Sequence, residues 1–238
     1  MEEDPMGKLG VIGGMGPEAT SYFYDEVIEH TVASRDQEHL DMVIISQASM
    51  PDRTHAILTG NDRRLLEVMR EDAQALESLG CTCIAIPCNT SHYFYDKIQG
   101  FTSVPIINMP REAVREAVEA RGARRVGVMG TDGTIRSGLY ARECERAGVE
   151  CVVPTPERQA DVMSLIYDDV KAGRRADMRK LERAVDELCR RGCDVVILAC
   201  TELSVARRRH GAPAACLDAM DVLVRESILR AGGLYRAD

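Results

Sequence analysis

Short apolar runs rich in β-branched residues alternate along the chain with longer segments whose apolar positions recur every three or four residues. Runs at 9–12, Met42–Ser46, 83–86, 104–107, 126–129, 151–153, Val195–Leu198 and 214–217 read as strands. Segments such as 63–79 and Met178–Arg190 read as amphipathic helices. The strand runs are apolar without strict alternation, the pattern of strands covered by helices on both faces. Strand–helix–strand order predicts parallel sheets with right-handed crossovers.

The pattern also repeats. Gly80-Cys81 followed by an apolar strand and then Cys88-Asn89-Thr90 lines up with Gly192-Cys193, an apolar strand and Cys200-Thr201-Glu202. In both copies the second Cys stands eight residues after the Gly. Leu9-Gly10-Val11-Ile12-Gly13 has a partner in Val126-Gly127-Val128-Met129-Gly130. A separation of 112 to 117 residues is far longer than a solenoid repeat. The expected architecture is therefore α/β, with two pseudo-symmetric parallel-sheet domains and the active site in the cleft between them. The expected division is 1–109 with 219–238 as the first domain and 110–218 as the second. The helix at 111–121, entered through Pro110, crosses between the halves, and the last helix, 220–230, returns to the first.

Composition narrows the function. The chain of 238 residues is 45% hydrophobic and 29% charged, which excludes a disordered or collagen-like chain. A formal charge of -8 argues against broad tracking of nucleic-acid phosphates, though a few converging cations can still hold a small anion. No apolar run is long enough to span a membrane, and the N-terminal residues do not read as a signal peptide. Nine cysteines in no secreted framework point to a cytoplasmic protein with reduced thiols.

In open parallel sheets ligands bind beyond the carboxyl ends of the strands. The unusual residues fall there: 14–17, 51–54, 88–92, 130–134 and 200–202. If those ends face one another, Cys88 and Cys200 stand on opposite walls of one cleft. Inverting a stereocentre with an acidic C–H requires a base on one face and an acid on the other. Thiols at strand-to-helix turns suit both roles, because backbone N–H groups there favour the thiolate. The Asn89 amide and the Thr90, Ser91 and Thr201 hydroxyls are placed to bind a carboxylate over the same turns.

Competing readings accompany each feature. Free thiols are usually small buried hydrophobes, and Cys81, Cys83, Cys144, Cys151, Cys189, Cys193 and Cys216 are read so. A zinc site lacks a Cys-x-x-Cys pair, and a Cys88–Cys200 disulfide needs oxidising conditions. Gly-x-Gly-x-x-Ala after the first strand admits dinucleotide binding. Against that, the second strand ends without an acidic residue for a ribose, and Pro17 removes an amide from a phosphate cradle. Arg53 and Lys171 are candidates to read an anionic side chain, against the ordinary alternative of solvated surface. His92 either assists Cys88 or fills the first turn of its helix. Arg207-Arg208-Arg209 reads as an exposed helix end, and Asp25, Glu26 and Glu29 as an ordinary charged face.

The motifs at 9–20 (LGVIGGMGPEAT), 50–54 (MPDRT), 87–92 (PCNTSH) and 199–203 (ACTEL) together resemble the aspartate/glutamate racemase family, most closely its aspartate racemase branch. The resemblance implies two pseudo-symmetric α/β domains, no pyridoxal phosphate, no metal and a homodimer. It implies that Cys88 and Cys200 are the catalytic thiols. Asn89, Thr90, Thr131 and Thr201 then fall where the α-carboxylate or amino group is held. Arg53 and Lys171 match cations that grip a side-chain carboxylate, with Met15 and Glu202 completing the substrate-binding set. The expected activity is cofactor-independent racemisation of aspartate or glutamate, the partner being a small amino acid and neither nucleic acid nor membrane. Other two-cysteine members of the superfamily, broad-specificity racemases and maleate isomerase among them, and a non-catalytic amino-acid-binding protein remain alternatives.

Overall fold

The computed structural model describes residues 6–237. Residues 1–5, where the chain start was read as no signal peptide, and Asp238 lie outside them. Among the described residues, seven strands form two parallel sheets. The first has the order β2 (Met42–Ser46), β1 (Lys8–Gly13), β3 (Cys81–Ala85). The second has the order β5 (Glu150–Val152), β4 (Arg125–Met129), β6 (Val195–Leu198), β7 (Cys216–Asp218). The first sheet repeats the second almost completely, because Ile106 forms a parallel bridge to Ile84 in the place that β7 holds beside β6. Pro105 lacks an N–H to continue the ladder, so the expected strand at 104–107 shrinks to that bridge.

Alternation along the central strands divides the core. Leu9 and Val11 of β1, Cys83 and Ala85 of β3, Val126 and Val128 of β4, and Val195 and Ile197 of β6 all enter one continuous apolar cluster. Their neighbours Ile12 and Ile84 face a second cluster, under the helix Arg63–Ser78. Met129, Val196 and Leu198 face a third, under the helix Met178–Arg190. Each sheet thus has its own outer core, and both share the inner one.

Among the described residues, five α-helices contribute to the shared layer: Pro17–His30, Met109–Arg115, Leu139–Arg146, Thr201–His210 and Ala219–Arg230. The expected helix at 111–121 is α-helical only to Arg115 and continues as a π-helical turn, Glu116–Ala120. The last helix is tied across the chain by ion pairs of Arg230 with Glu112 and of Arg115 with Glu226. It also packs against Pro17–His30, as the sequence led one to expect.

The arginine run 207–209 lies at a helix end as expected, with Arg208 and Arg209 exposed and Arg207 half-buried, but its side chains are paired. Arg207 pairs with the buried Asp218 and with Asp221, Arg208 with Asp25, and Arg209 with Glu18. The run therefore also joins the helix Thr201–His210 to its two neighbours, and Asp25 and Glu26, read as an ordinary charged face, belong to that seam. The reading of seven thiols as buried is also corrected in part: Cys189 is exposed, and Cys151 and Cys216 are half-buried.

Candidate active site

The carboxyl ends of β1, β2, β3, β4 and β6 converge on a cavity of about 300 Å³. Cys88 and Cys200 both line it, one from the turn after β3 and the other from the turn after β6. Met15, Arg53, Asn89, Thr90, Thr131, Lys171, Thr201 and Glu202 line it too, so the whole catalytic and substrate-binding set implied by the resemblance reaches one space. Both thiols are buried. Asp52 and Thr54, within the segment 51–54 expected at the strand ends but not singled out, also line it, and Tyr167 does so without having been foreseen.

The two thiols have different surroundings. Cys200 N-caps the helix Thr201–His210 and donates its S–H to Glu202 Oε2 at 2.9 Å. Burial, and then the Glu202 charge, push that thiol well above its ordinary value, while Lys171 pulls the other way. Cys88 is followed by a 3₁₀ turn, Thr90–Phe94, and a short helix, Tyr95–Gln99, so its amide environment is weaker than a full helix end provides.

Lys171 follows a π-helical turn, Leu165–Val170, whose extra residue per turn re-aims the side chains after it. Its Nζ lies 3.4 Å from Glu202 Oε1 and 4.9 Å above the Tyr167 ring. Burial lowers the Lys171 ammonium, but Glu202 and the neighbouring thiols more than offset this, and the net direction is upward. Lys171 therefore stays charged. Glu202 holds the Cys200 proton with one oxygen and balances Lys171 with the other.

The opposite wall supplies donors. Tyr140 donates to Asn89 Oδ1 at 2.5 Å, which leaves Asn89 Nδ2 buried without a partner. Burial drives the Tyr140 phenol far above its ordinary value, so it remains a donor. Arg53 gives Nη1 to the Met50 and Pro51 carbonyls, at 3.3 and 3.0 Å, while its Nε is buried and unpartnered. A buried donor without a partner costs about 1–3 kcal/mol, which a bound acceptor recovers. Two such donors on residues of one cavity make it a receptor for an anion. Between them, the hydroxyls of Thr54, Thr90, Thr131 and Thr134 hydrogen-bond to one another across the cleft.

Two candidates drop out of the cavity wall. Ser91 is fully buried and donates to Met15 Sδ at 3.3 Å, so it supports Met15. His92 has Nδ1 2.9 Å from the Cys88 carbonyl, and its Nε2 accepts from the Met109 N–H. Burial lowers the His92 imidazole, which stays neutral and pins the Cys88 turn by its backbone. The glycine fingerprint likewise serves the fold. Gly14 has φ +87° and gives its N–H to Thr20 Oγ1, and an added Cβ would come 2.4 Å from the Gln47 backbone. The amide that a phosphate cradle would use is therefore already taken. Among the described residues, no group of three His, Cys, Asp or Glu side chains is arranged to hold a metal ion.

Comparison with known proteins agrees with this geometry. The sequence pattern of the Asp/Glu/Hydantoin racemase family matches residues 12–227. The broad specificity amino-acid racemase RacX of Bacillus subtilis is 30% identical over 200 residues, covering 82% of this chain and 86% of that one. Among solved structures, the Picrophilus torridus aspartate racemase superposes with a TM-score of 0.81 at 26% identity, over 97% of this chain and 96% of that one. An aspartate racemase homologue from Pyrococcus horikoshii gives 0.75 at 27% identity, over 95% and 100%. The chain is therefore an enzyme of the Asp/Glu/hydantoin racemase family, on its aspartate racemase branch.

Proposed function

We propose that this protein racemises an acidic amino acid, aspartate or glutamate, by proton transfer between two thiols and without a cofactor. The observation that carries this reading is the meeting of Cys88 and Cys200, one from each half of the repeat, on the wall of one buried cavity that also holds unpartnered donors. In the resting site Glu202 keeps Cys200 protonated, which makes Cys200 the acid and Cys88 the base for one enantiomer. The Cys88 thiolate takes the Cα proton and leaves a carbanion. The Cys200 S–H then delivers its proton to the opposite face, and the two thiols have exchanged ionisation states. The other enantiomer runs the same steps in reverse. Asn89 and the threonines hold the α-carboxylate, and their donors stabilise charge spreading from Cα. Arg53 and Lys171 select an anionic side chain.

The same reading divides the chain into 1–109 with 219–238 and 110–218. It takes the protein to be a cytoplasmic homodimer. In support, Tyr24, Ile28 and Val32 lie exposed at four-residue spacing at and just beyond the end of the helix Pro17–His30. Incubation of L-aspartate and L-glutamate with reduced protein in D₂O gives α-deuterated product of both hands. Cys88→Ala and Cys200→Ala each abolish racemisation, and one retains wash-out of the α-proton from a single enantiomer. Wild-type protein that deuterates neither acid would overturn the proposal.

A further inference from the structure

A second, more open cavity of about 750 Å³ adjoins the first, and four residues line both: Met15, Arg53, Lys171 and Glu202. The thiols, Asn89 and the threonines line only the inner space. The outer chamber adds Gly14, Gly16 and Pro17 from the turn after β1, Glu18 and Ala19 from the first turn of the helix Pro17–His30, Ala48 after β2, and Val170 and Val205; apart from Glu18, which pairs with Arg209, these are small or apolar groups. The shared wall is the wall assigned above to the substrate side chain. A substrate whose α-carboxylate sits on Asn89 and the threonines has its side chain directed at that wall, and beyond it at the outer chamber.

The wall is charged, and an uncharged side chain passing it leaves Arg53 Nε still without the acceptor that an acidic side chain supplies, which favours acidic substrates without barring neutral ones. Lys171 already has Glu202 as its counter-ion, and Arg53 Nη1 is held by two carbonyls. We propose that the outer chamber is a side-chain subsite, and that the enzyme also racemises α-amino acids with unbranched, uncharged side chains longer than that of glutamate. This rests on the racemase reading and extends its substrate class. The methylene shaft lies on Val170, Val205 and the glycine turn, where each CH₂ removed from water adds favourable burial.

The test is α-proton exchange in D₂O, followed by NMR, on aspartate, 2-aminohexanoate and 2-aminooctanoate. It compares wild type with Ala48→Phe and, separately, Val205→Met, neither of which lines the inner cavity. Wild type exchanges all three. Either variant slows the two long substrates by about tenfold or more, the scale of one or two lost methylene contacts, while aspartate stays within about twofold. Aspartate exchange also reports that each variant is folded. Wild type that exchanges aspartate and neither long substrate overturns the subsite and leaves the racemase reading intact. Equal slowing of all three substrates in both variants makes the chamber an access channel and overturns the subsite as well. No exchange of any substrate by wild type overturns the racemase reading, and the subsite with it.

Discussion

At Asn89 one hydrogen bond decides which end of an amide faces the substrate. Tyr140 occupies Oδ1, so the NH₂ group is left for a carboxylate. Tyr140→Phe removes that choice and lets the carbonyl rotate toward the anion. The expected result is a rise in KM of roughly tenfold, with a smaller change in kcat and a folded protein by circular dichroism; unchanged KM would show that the amide is oriented by something else. Tyr140 was not legible in the sequence, because a tyrosine on an amphipathic helix reads as ordinary core. The polar residues beside the two cysteines were legible, because strand-end turns in this fold class have one destination. Asp72, on the helix Arg63–Ser78, presents a different residue-scale effect. Burial, with Glu71 nearby, pushes its carboxyl up to about 6, and Oδ2 has no partner. Between the unfolded value near 3.8 and the folded value the native state holds a proton that the unfolded chain has released. Stability therefore falls as pH rises through that window. Asp72→Asn is expected to raise stability at neutral pH by about 1–2 kcal/mol, allowing for the water that still reaches the group, with a smaller gain at about pH 4. Urea titrations at the two pH values measure the difference, and an equal effect at both would refute it.

Elements set how closely the two halves meet. The short helix Asp132–Arg136 approaches the first turn of the helix Arg53–Thr59 so closely that a Cβ on Gly133 would lie 2.7 Å from Thr54 Oγ1 and 3.0 Å from Thr54 Cα. The hydroxyl can swing aside, but the backbone atom cannot. Gly133→Ala is therefore expected to widen the cleft, cost about 1–2 kcal/mol in thermal unfolding and slow turnover, even though alanine favours helix. A faster or more stable variant would contradict the close approach. Strand positions were legible to within a residue or two because apolar runs so short, between turn signals, fit little else. The exceptions have local causes: Pro105 interrupts a ladder, and π-helical turns after Arg115 and Ser164 break a periodicity that sequence reads as uninterrupted helix. The second of these sets the direction of Lys171, so the residues alone offered it as one candidate cation and the resemblance strengthened that reading.

For the molecule as a whole, the inner core joins what the repeat would otherwise separate. Strands of both sheets and five helices among the described residues contribute to one apolar cluster, so neither sheet can lose its inner face without exposing the other. Unfolding is expected to be a single calorimetric transition whose direct and van't Hoff enthalpies agree, and two resolved transitions would show that the halves are independent. The repeat was legible from the paired Gly-Cys strands, but the shared layer was not, since helix periodicity does not say which sheet a helix covers. The two halves of the repeat differ in the company they give the two thiols, with a carboxylate beside Cys200 and a backbone-pinned turn holding Cys88. In proposed racemisation, mirror-image reactants have the same free energy in solution, so the equilibrium constant is unity. The ratio of kcat to KM must then be identical in the two directions, however lopsided the machinery. Glu202 cannot make the enzyme prefer one hand overall; it can only trade tighter binding of one enantiomer for slower turnover of it.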